Sequence, residues 1–69
     1  MKRASAGQRY EIEGLLSFLG RTEAWLEQHR DRIGAAADLE GPLTLDEISA
    51  DDAAEVIEIL KYDTERAGA

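Results

Sequence analysis

Cysteine is absent from this chain, and proline, histidine and tryptophan each occur only once. Without cysteine the chain forms neither a disulfide nor a thiolate metal site, and nothing in it indicates an oxidising compartment. A single histidine also excludes a metal site built from several histidines of one chain. No apolar run approaches the roughly 18–20 residues that span a bilayer. We therefore expect a cytoplasmic protein that holds no metal or other cofactor and does not enter a membrane.

The chain is also short. We expect one domain over residues 1–69, and a single core of this size rarely contributes more than about 3–5 kcal/mol. Small domains usually add disulfides, a metal or oligomerisation, and the composition disfavours the first two. The sequence therefore predicts self-association, most simply as a homodimer.

Positive charge is scarce in the second half of the chain. Residues 1–37 carry six Lys or Arg and five Asp or Glu, whereas residues 38–69 carry two and ten, and the formal net charge is −7. Phosphate binding depends on Lys and Arg, so we expect no direct contact with nucleic acid. An acidic surface attracts basic surfaces instead. The sequence therefore predicts a basic protein as partner.

Apolar residues recur at helical spacing in the first half. Four of them keep a seven-residue period: Ile12, Leu19, Leu26 and Ile33. This period is typical of one face of a packed helix. Basic residues followed by Gly34 indicate the helix end. The pattern predicts a flexible basic tail over residues 1–6 and a first helix over about residues 7–33.

Gly20 offers an alternative to one continuous helix. A glycine inside a helix costs about 1 kcal/mol relative to alanine, and Thr22 is a suitable cap for a new helix after a break. We favour continuity because the apolar period passes through Gly20 without a change of phase. The alternative is a three-helix bundle with a break at Gly20.

A second helix is predicted after the only proline. The connection over residues 34–45 contains a Gly-Pro pair, which is a strong local breaker. Thr44 and Glu47 give the T-x-x-E pattern of a capping box, and Ser49 offers a second possible start. The apolar stripe that follows consists of Ala53, Val56, Ile57 and Leu60. We predict the second helix over about residues 46–66.

Two helices of matching length predict an all-α fold, an antiparallel two-helix hairpin. Each would be about 30 Å long, and antiparallel pairing sets large side chains of one helix against smaller ones of the other. Two helices cannot cover the apolar flanks of both stripes. The residues left over are Phe18, Trp25, Ile48 and Ile59. They predict the interface of a homodimer that completes a four-helix bundle.

An acidic stripe is predicted on the second helix. Because a helix advances about 100° per residue, five carboxylates fall within one sector: Glu47, Asp51, Glu55, Glu58 and Glu65. Tyr62 lies in the same sector, and tyrosine is enriched among the residues that dominate binding. Like charges four residues apart cost roughly 0.2–0.5 kcal/mol per pair, and a basic partner would relieve that cost. A face that only meets water is the alternative interpretation.

The sequence offers little for catalysis. Glu27 and His29 stand two residues apart, whereas the Glu-x-x-His pair of metal sites in helical bundles spaces its ligands three apart on one face. The nearby Glu23 does not complete such a site. Neither a G-x-S-x-G motif nor a phosphate-binding glycine loop is present. We therefore expect no enzyme activity and no metal.

The segment Ser49–Val56, with the sequence SADDAAEV, resembles the recognition helix of acyl carrier proteins, whose prosthetic serine stands at the start of an acidic helix. The resemblance covers eight residues and lacks the family's Asp-Ser-Leu core, because Ile48 precedes Ser49 and Ala50 follows it. It implies a carrier or cofactor-holding domain. A helix cap explains Ser49 equally well.

The first functional hypothesis is an acidic helical module that occupies, and so inhibits, a basic nucleic-acid-binding surface of another protein. The acidic stripe and Tyr62 would make the contact. The alternative is an accessory or structural subunit of a larger enzyme or phage-type assembly, docked through the apolar flank. Salt separates the two, because charge-driven association weakens as the screening length falls from about 10 Å at 0.1 M to about 3 Å at 1 M.

Overall fold

The computed structural model describes residues 2–36 and 38–68. Within these residues it contains four helices and no strand, and one isolated antiparallel bridge joins Arg3 to Ser49. The helices are α1 (Ala6–Phe18), α2 (Ala24–Gln28), α3 (Arg30–Ala36) and α4 (Ala50–Ala67). The all-α prediction is confirmed.

The first predicted helix is interrupted at Gly20. This residue has a φ of +70°, the left-handed conformation that glycine adopts without a steric penalty. The Gly20 amide donates to the Ser17 carbonyl at 3.0 Å. The Arg21 amide donates to the Leu16 carbonyl at 2.8 Å, and the two bonds together close α1 as a Schellman motif. One continuous helix over residues 7–33 is therefore wrong, and the break at Gly20 is correct.

A second interruption separates α2 from α3. His29 stands between them with a φ of −113°, outside the helical region. The side chain of Thr22 does not cap α2, because the cap position is taken by Glu23, which makes no side-chain cap bond. Thr22 contributes its carbonyl instead, which accepts from the Trp25 amide at 3.0 Å. The described chain thus has one helix more than the three-helix alternative.

α1 and α4 pack against each other and run in the same general direction. At their N-terminal ends the side-chain amide of Gln8 donates to the Ala50 carbonyl at 3.2 Å. At their C-terminal ends Phe18 and Thr64 line one groove. α2, α3 and the segment 38–49 lead the chain back from the end of α1 to the start of α4. The predicted antiparallel hairpin of two continuous helices is therefore not formed.

One apolar core lies between the helices and the segment before α4. Its buried members are Ile12, Leu16, Leu26, Ile33, Leu43, Ile48, Ala53, Val56, Ile57 and Leu60. Three residues of the predicted seven-residue period are fully buried, and Leu19 packs against them partly buried. Each large aliphatic side chain contributes about 1.5–3 kcal/mol when fully buried. This core is therefore the main source of stability.

α4 begins later than the sequence predicts. The Ser49 hydroxyl accepts from the Asp52 amide at 3.1 Å and caps the helix, whose first residue is Ala50. Thr44 and Glu47 form a turn before it, in which the Glu47 amide donates to the Thr44 carbonyl at 3.1 Å. The predicted helix start at residue 46 is therefore wrong, because the capping-box pattern is used in a turn. The alternative start at Ser49 is correct.

The N-terminal segment lies against the start of α4. The Ala4 amide donates to the Ile48 carbonyl at 3.0 Å. The Ala50 amide donates to the Lys2 carbonyl at 2.8 Å, and Ser5 caps α1 with a reciprocal capping box. The described residues of this segment are held by these bonds and do not form the free tail that the sequence predicts.

Candidate functional site

Asp52 is a carboxylate inside the fold. It is 0% exposed and lies on the side of α4 that faces the core. Its carboxylate accepts the backbone N–H groups of Glu40 and Gly41, each at 3.0 Å. These two amides are partly buried and belong to a segment without helix or strand, so no neighbouring helix or strand supplies their acceptor. Asp52 therefore fastens the connection before α4 to the first turn of that helix.

Two more carboxylates hold the same connection: Glu23, which precedes α2, and Glu27, which lies on α2. The Glu23 carboxylate accepts from the Leu45 amide at 2.6 Å, and the Glu27 carboxylate accepts from the Leu43 amide at 2.6 Å. Hydrogen bonds to an ionised acceptor are shorter and stronger than neutral ones. Both carboxylates are therefore engaged in holding backbone.

Asp63 is a buried carboxylate that joins α4 to two other parts of the chain. Arg21, after α1, donates to one of its oxygens at 2.8 Å. Arg32, on α3, donates to the other oxygen at 2.8 Å. Burial raises the pKa of the Asp63 carboxyl, but the hydrogen bonds and positive charges of the two arginines lower it more, so that its pKa lies below the ordinary value of 3.8.

Trp25 stands beside this ion pair. The Arg21 guanidinium lies 4.1 Å from the centre of its ring and the Arg32 guanidinium 5.7 Å, both as cation–π contacts. The His29 ring stacks on it with centroids 4.3 Å apart, and His29 Nδ1 donates to the Trp25 carbonyl at 3.0 Å. Trp25 is half-buried and packs against these groups of its own chain, and its place at a dimer interface stays a prediction.

The Asp63 ion pair predicts a loss of stability in acid. The carboxylate is more acidic in the folded state, so the unfolded chain takes up the proton first as pH falls, and stability rises with pH across that window. The contribution is therefore complete well above pH 3.8 and is lost as pH falls below that value through the folded-state pKa. Arg32 is half-exposed, so we expect Asp63→Asn to cost only about 1–3 kcal/mol at pH 7. Urea unfolding at pH 7 and pH 3 should show this difference shrinking in acid, and a difference independent of pH would contradict it.

The outer face of α4 carries carboxylates that, unlike Asp52 and Asp63, do not hold other parts of the described chain. We use this name for five exposed residues on the side away from the core: Asp51, Glu55, Glu58, Tyr62 and Glu65. Within residues 2–36 and 38–68, none of its four carboxylates takes part in a salt bridge or a side-chain hydrogen bond. Tyr62 is 55% exposed, and its hydroxyl accepts from Arg66 at 3.1 Å. Glu47, the sixth predicted contact, is exposed too but lies in the turn before α4.

A groove runs along one edge of the outer face, between α3 and α4. It has a volume of about 360 Å³ and a mostly apolar lining. The residues that line it are Arg32, Glu55, Glu58, Ile59, Tyr62 and Asp63. Two carboxylates and the tyrosine of the outer face thus meet Ile59, which the sequence assigns to a dimer interface. A second apolar groove, of about 390 Å³, lies between Leu15, Phe18, Thr64 and Glu65.

The four residues predicted to form a dimer interface do not share one surface. Phe18 is 68% exposed at the end of α1, and half-buried Ile59 lines the α3/α4 groove. Ile48 is only 1% exposed and belongs to the core, so its assignment to an interface is wrong. The reason is that Ile48 lies in the turn before α4, where helical spacing no longer predicts which way a side chain points.

The carrier resemblance has no support in the geometry of Ser49. This serine is only 3% exposed, and its hydroxyl is used to cap α4. Among the described residues, no group of three or more His, Asp or Glu side chains is arranged to hold a metal ion. None of the helices in this part of the chain combines the length and apolar character needed to cross a membrane.

No protein-family model, curated protein or solved structure matches this chain. The geometry of the fold adds two residues that the sequence reasoning missed as organising elements, Asp52 and Asp63. Both stand on the buried side of α4, four residues before Val56 and three after Leu60, and this position was the available signal.

Proposed function

We propose that this chain is a non-enzymatic protein-binding module that uses the outer face of α4 to occupy a basic, nucleic-acid-binding surface of a partner protein. The observation that supports it is that the fold supplies partners for some of its carboxylates and, within the described residues, not for those of the outer face. Asp52, Asp63, Glu23 and Glu27 are engaged by amides and arginines of the fold. The carboxylates of the outer face have no such partner in the described chain.

The unpartnered charges carry a small cost that binding would remove. Asp51 and Glu55 stand four residues apart, and Glu55 and Glu58 three apart, so each pair costs roughly 0.2–0.5 kcal/mol in the free helix. Arginine or lysine side chains of a partner would offset this repulsion and would raise the association rate by steering. A face that only meets water needs no such partner. Binding of the native partner to a charge-reversed variant separates this interpretation from a partner-binding face.

The spacing of the charges limits the size of the partner surface. From Asp51 to Glu65 the helix rises about 21 Å, and four carboxylates lie along it. One strand of a DNA duplex carries a phosphate every 3.4 Å or so. The outer face is therefore less charged than nucleic acid, and it fits a short basic patch better than a long nucleic-acid channel.

Binding of the native partner to the wild type and to a variant with Glu55→Lys and Glu58→Lys tests this proposal. We expect the variant to lose binding. Unchanged binding would refute the proposal. A cytoplasmic location and the lack of direct contact with nucleic acid or membrane belong to the same proposal, and they rest on the composition and charge of the chain.

Phe18 supports a second candidate, an accessory subunit or homodimer that docks through an apolar surface. It is a large apolar side chain left 68% exposed beside Leu15 in a groove of mostly apolar lining. Covering this surface would add stability that a small core lacks. Docking here would leave the outer face of α4 in water.

Self-association through Phe18 is the expected consequence. Sedimentation at high micromolar concentration should show a dimer of the wild type and a monomer of Phe18→Ser. Tyr10→Ser is the matched control, because Tyr10 is an exposed aromatic residue of α1 that lies outside this groove. It should leave the dimer intact. A wild-type chain that sediments as a monomer would contradict the prediction.

A further inference from the structure

The groove between α3 and α4 combines features that suit one kind of side chain. Its lining is mostly apolar, with Ile59 half-buried, and Glu55 and Glu58 stand at its rim. An arginine side chain has an apolar stem and a cationic head. We infer that this groove receives a single arginine side chain of the basic partner, an inference that rests on the proposed function.

The charges around the groove favour a cation. Arg32 lies in its wall, but its guanidinium is paired with Asp63 at 2.8 Å. Asp63 pairs with Arg21 as well, so these three groups together keep one positive charge, which the two carboxylates at the rim outweigh. Glu55 and Glu58 have no ion-pair partner within the described residues, so the groove presents net negative charge to an incoming side chain.

Tyr62 favours arginine over lysine. A guanidinium is planar, stacks on aromatic rings and is more weakly hydrated than an ammonium group. The chain already pairs its own guanidiniums with aromatic rings: Arg66 lies 5.7 Å from the Tyr62 ring centre, and Arg21 lies 4.1 Å from the Trp25 ring centre. Arg21 at the same time donates to the Asp63 carboxylate. An arginine between Tyr62 and Glu58 would have the same combination of ring and carboxylate.

The size of the groove fits a side chain better than a whole helix. Its volume of about 360 Å³ is near the lower end of the range of small-molecule pockets, which is about 300–1,000 Å³. Glu58 and Tyr62 are four residues apart, as are Glu55 and Ile59, so each pair shares a side of α4. The remaining carboxylates of the outer face, Asp51 and Glu65, would meet other charges of the partner.

The test is a ¹H–¹⁵N NMR titration of the whole chain with three blocked tetrapeptides: four arginines, four lysines, and four citrullines as the neutral isostere. Tetra-arginine should shift the amide signals of Arg32, Ile59 and Tyr62 most. Since a cation–π contact is worth a factor of about 2–5 in affinity, it should bind that much more tightly than tetra-lysine. Tetra-citrulline should not bind.

Three variants locate the binding. Glu58→Gln and Tyr62→Leu should each weaken tetra-arginine binding by about 2–5-fold. Glu65→Gln makes the same change of charge on the outer face but outside this groove, and it should have a smaller effect. Both Glu58 and Tyr62 are exposed, and the dispersion of the NMR spectrum reports directly that each variant is folded.

Two failures are distinguishable. If shifts spread evenly along α4, or if Glu65→Gln matters as much as Glu58→Gln and Tyr62→Leu, the groove inference is overturned while the proposed function stands. If tetra-arginine shifts no signal on α4, both are overturned. Equal affinity for tetra-lysine and tetra-arginine would overturn the choice of arginine.

Discussion

Replacing Asp52 with alanine is expected to lower the free energy of unfolding by about 2–4 kcal/mol, because it leaves two part-buried amides without their acceptor, at roughly 1–2 kcal/mol each, the lower part of the range for buried groups. These are the N–H groups of Glu40 and Gly41, which Asp52 holds at 3.0 Å. A chain of this size has only about 3–5 kcal/mol to lose. Urea denaturation followed by circular dichroism should therefore show a protein that is unfolded in part without denaturant.

Asp51→Ala is the matched control. Asp51 precedes Asp52 in the same first turn of α4, but its side chain is exposed and accepts no hydrogen bond from the described residues. It contributes only through the helix dipole, which is worth about 0.3–1 kcal/mol. If the two substitutions destabilise the protein equally, Asp52 does not hold the connection as the structure indicates.

The sequence predicted which side chains form the core. Ile12, Leu26 and Ile33 keep a seven-residue period and are all fully buried. The apolar positions of α4 follow the same logic, from Ala53 to Leu60. Periodicity works here because it reports which side of a helix is apolar, and that side faces the core wherever the helix lies.

The path of the chain could not be predicted from the same pattern. A helix that ends at Gly20 and resumes with its apolar side in register gives the same spacing as one that continues. The parallel packing of α1 and α4 depends on contacts between residues far apart in the chain, such as Gln8 with Ala50. Nothing in the local spacing specifies such a contact.

The surface of α4 was predictable and the ion pair beneath it was not. Asp51, Glu55, Glu58 and Glu65 are opposite the apolar stripe, and all are exposed as the period requires. A carboxylate at Asp63, on the apolar side, indicates a buried partner. Its partners lie 42 and 31 residues away along the chain, too far for spacing to identify them.

Reversing the charges of Glu55 and Glu58 to lysine is expected to abolish partner binding. Like charges placed across an interface cost several kcal/mol, which is about 100-fold or more in affinity. Both residues are exposed and belong to no salt bridge of the described chain. The reversal also removes repulsion with Asp51, so urea denaturation should show stability unchanged or slightly higher.

Glu13→Lys with Asp31→Lys is the matched control. It changes the net charge by the same amount at two exposed positions, on α1 and α3, that lie outside the outer face. We expect it to weaken binding only modestly, since distant surface charges are largely screened beyond about 8–10 Å. Equal losses in the two double variants would mean that net charge, and not the outer face, governs binding.

The most direct test of binding through the outer face is the affinity of the native partner for three proteins: the wild type, the Glu55→Lys and Glu58→Lys variant, and the Glu13→Lys and Asp31→Lys variant. The affinity of each is measured at salt concentrations from about 0.1 M to 1 M. We predict a basic partner that binds the wild type, weakens steadily as salt rises, tolerates the control and fails to bind the outer-face variant. A partner that binds all three with the same affinity and the same salt dependence would contradict the account.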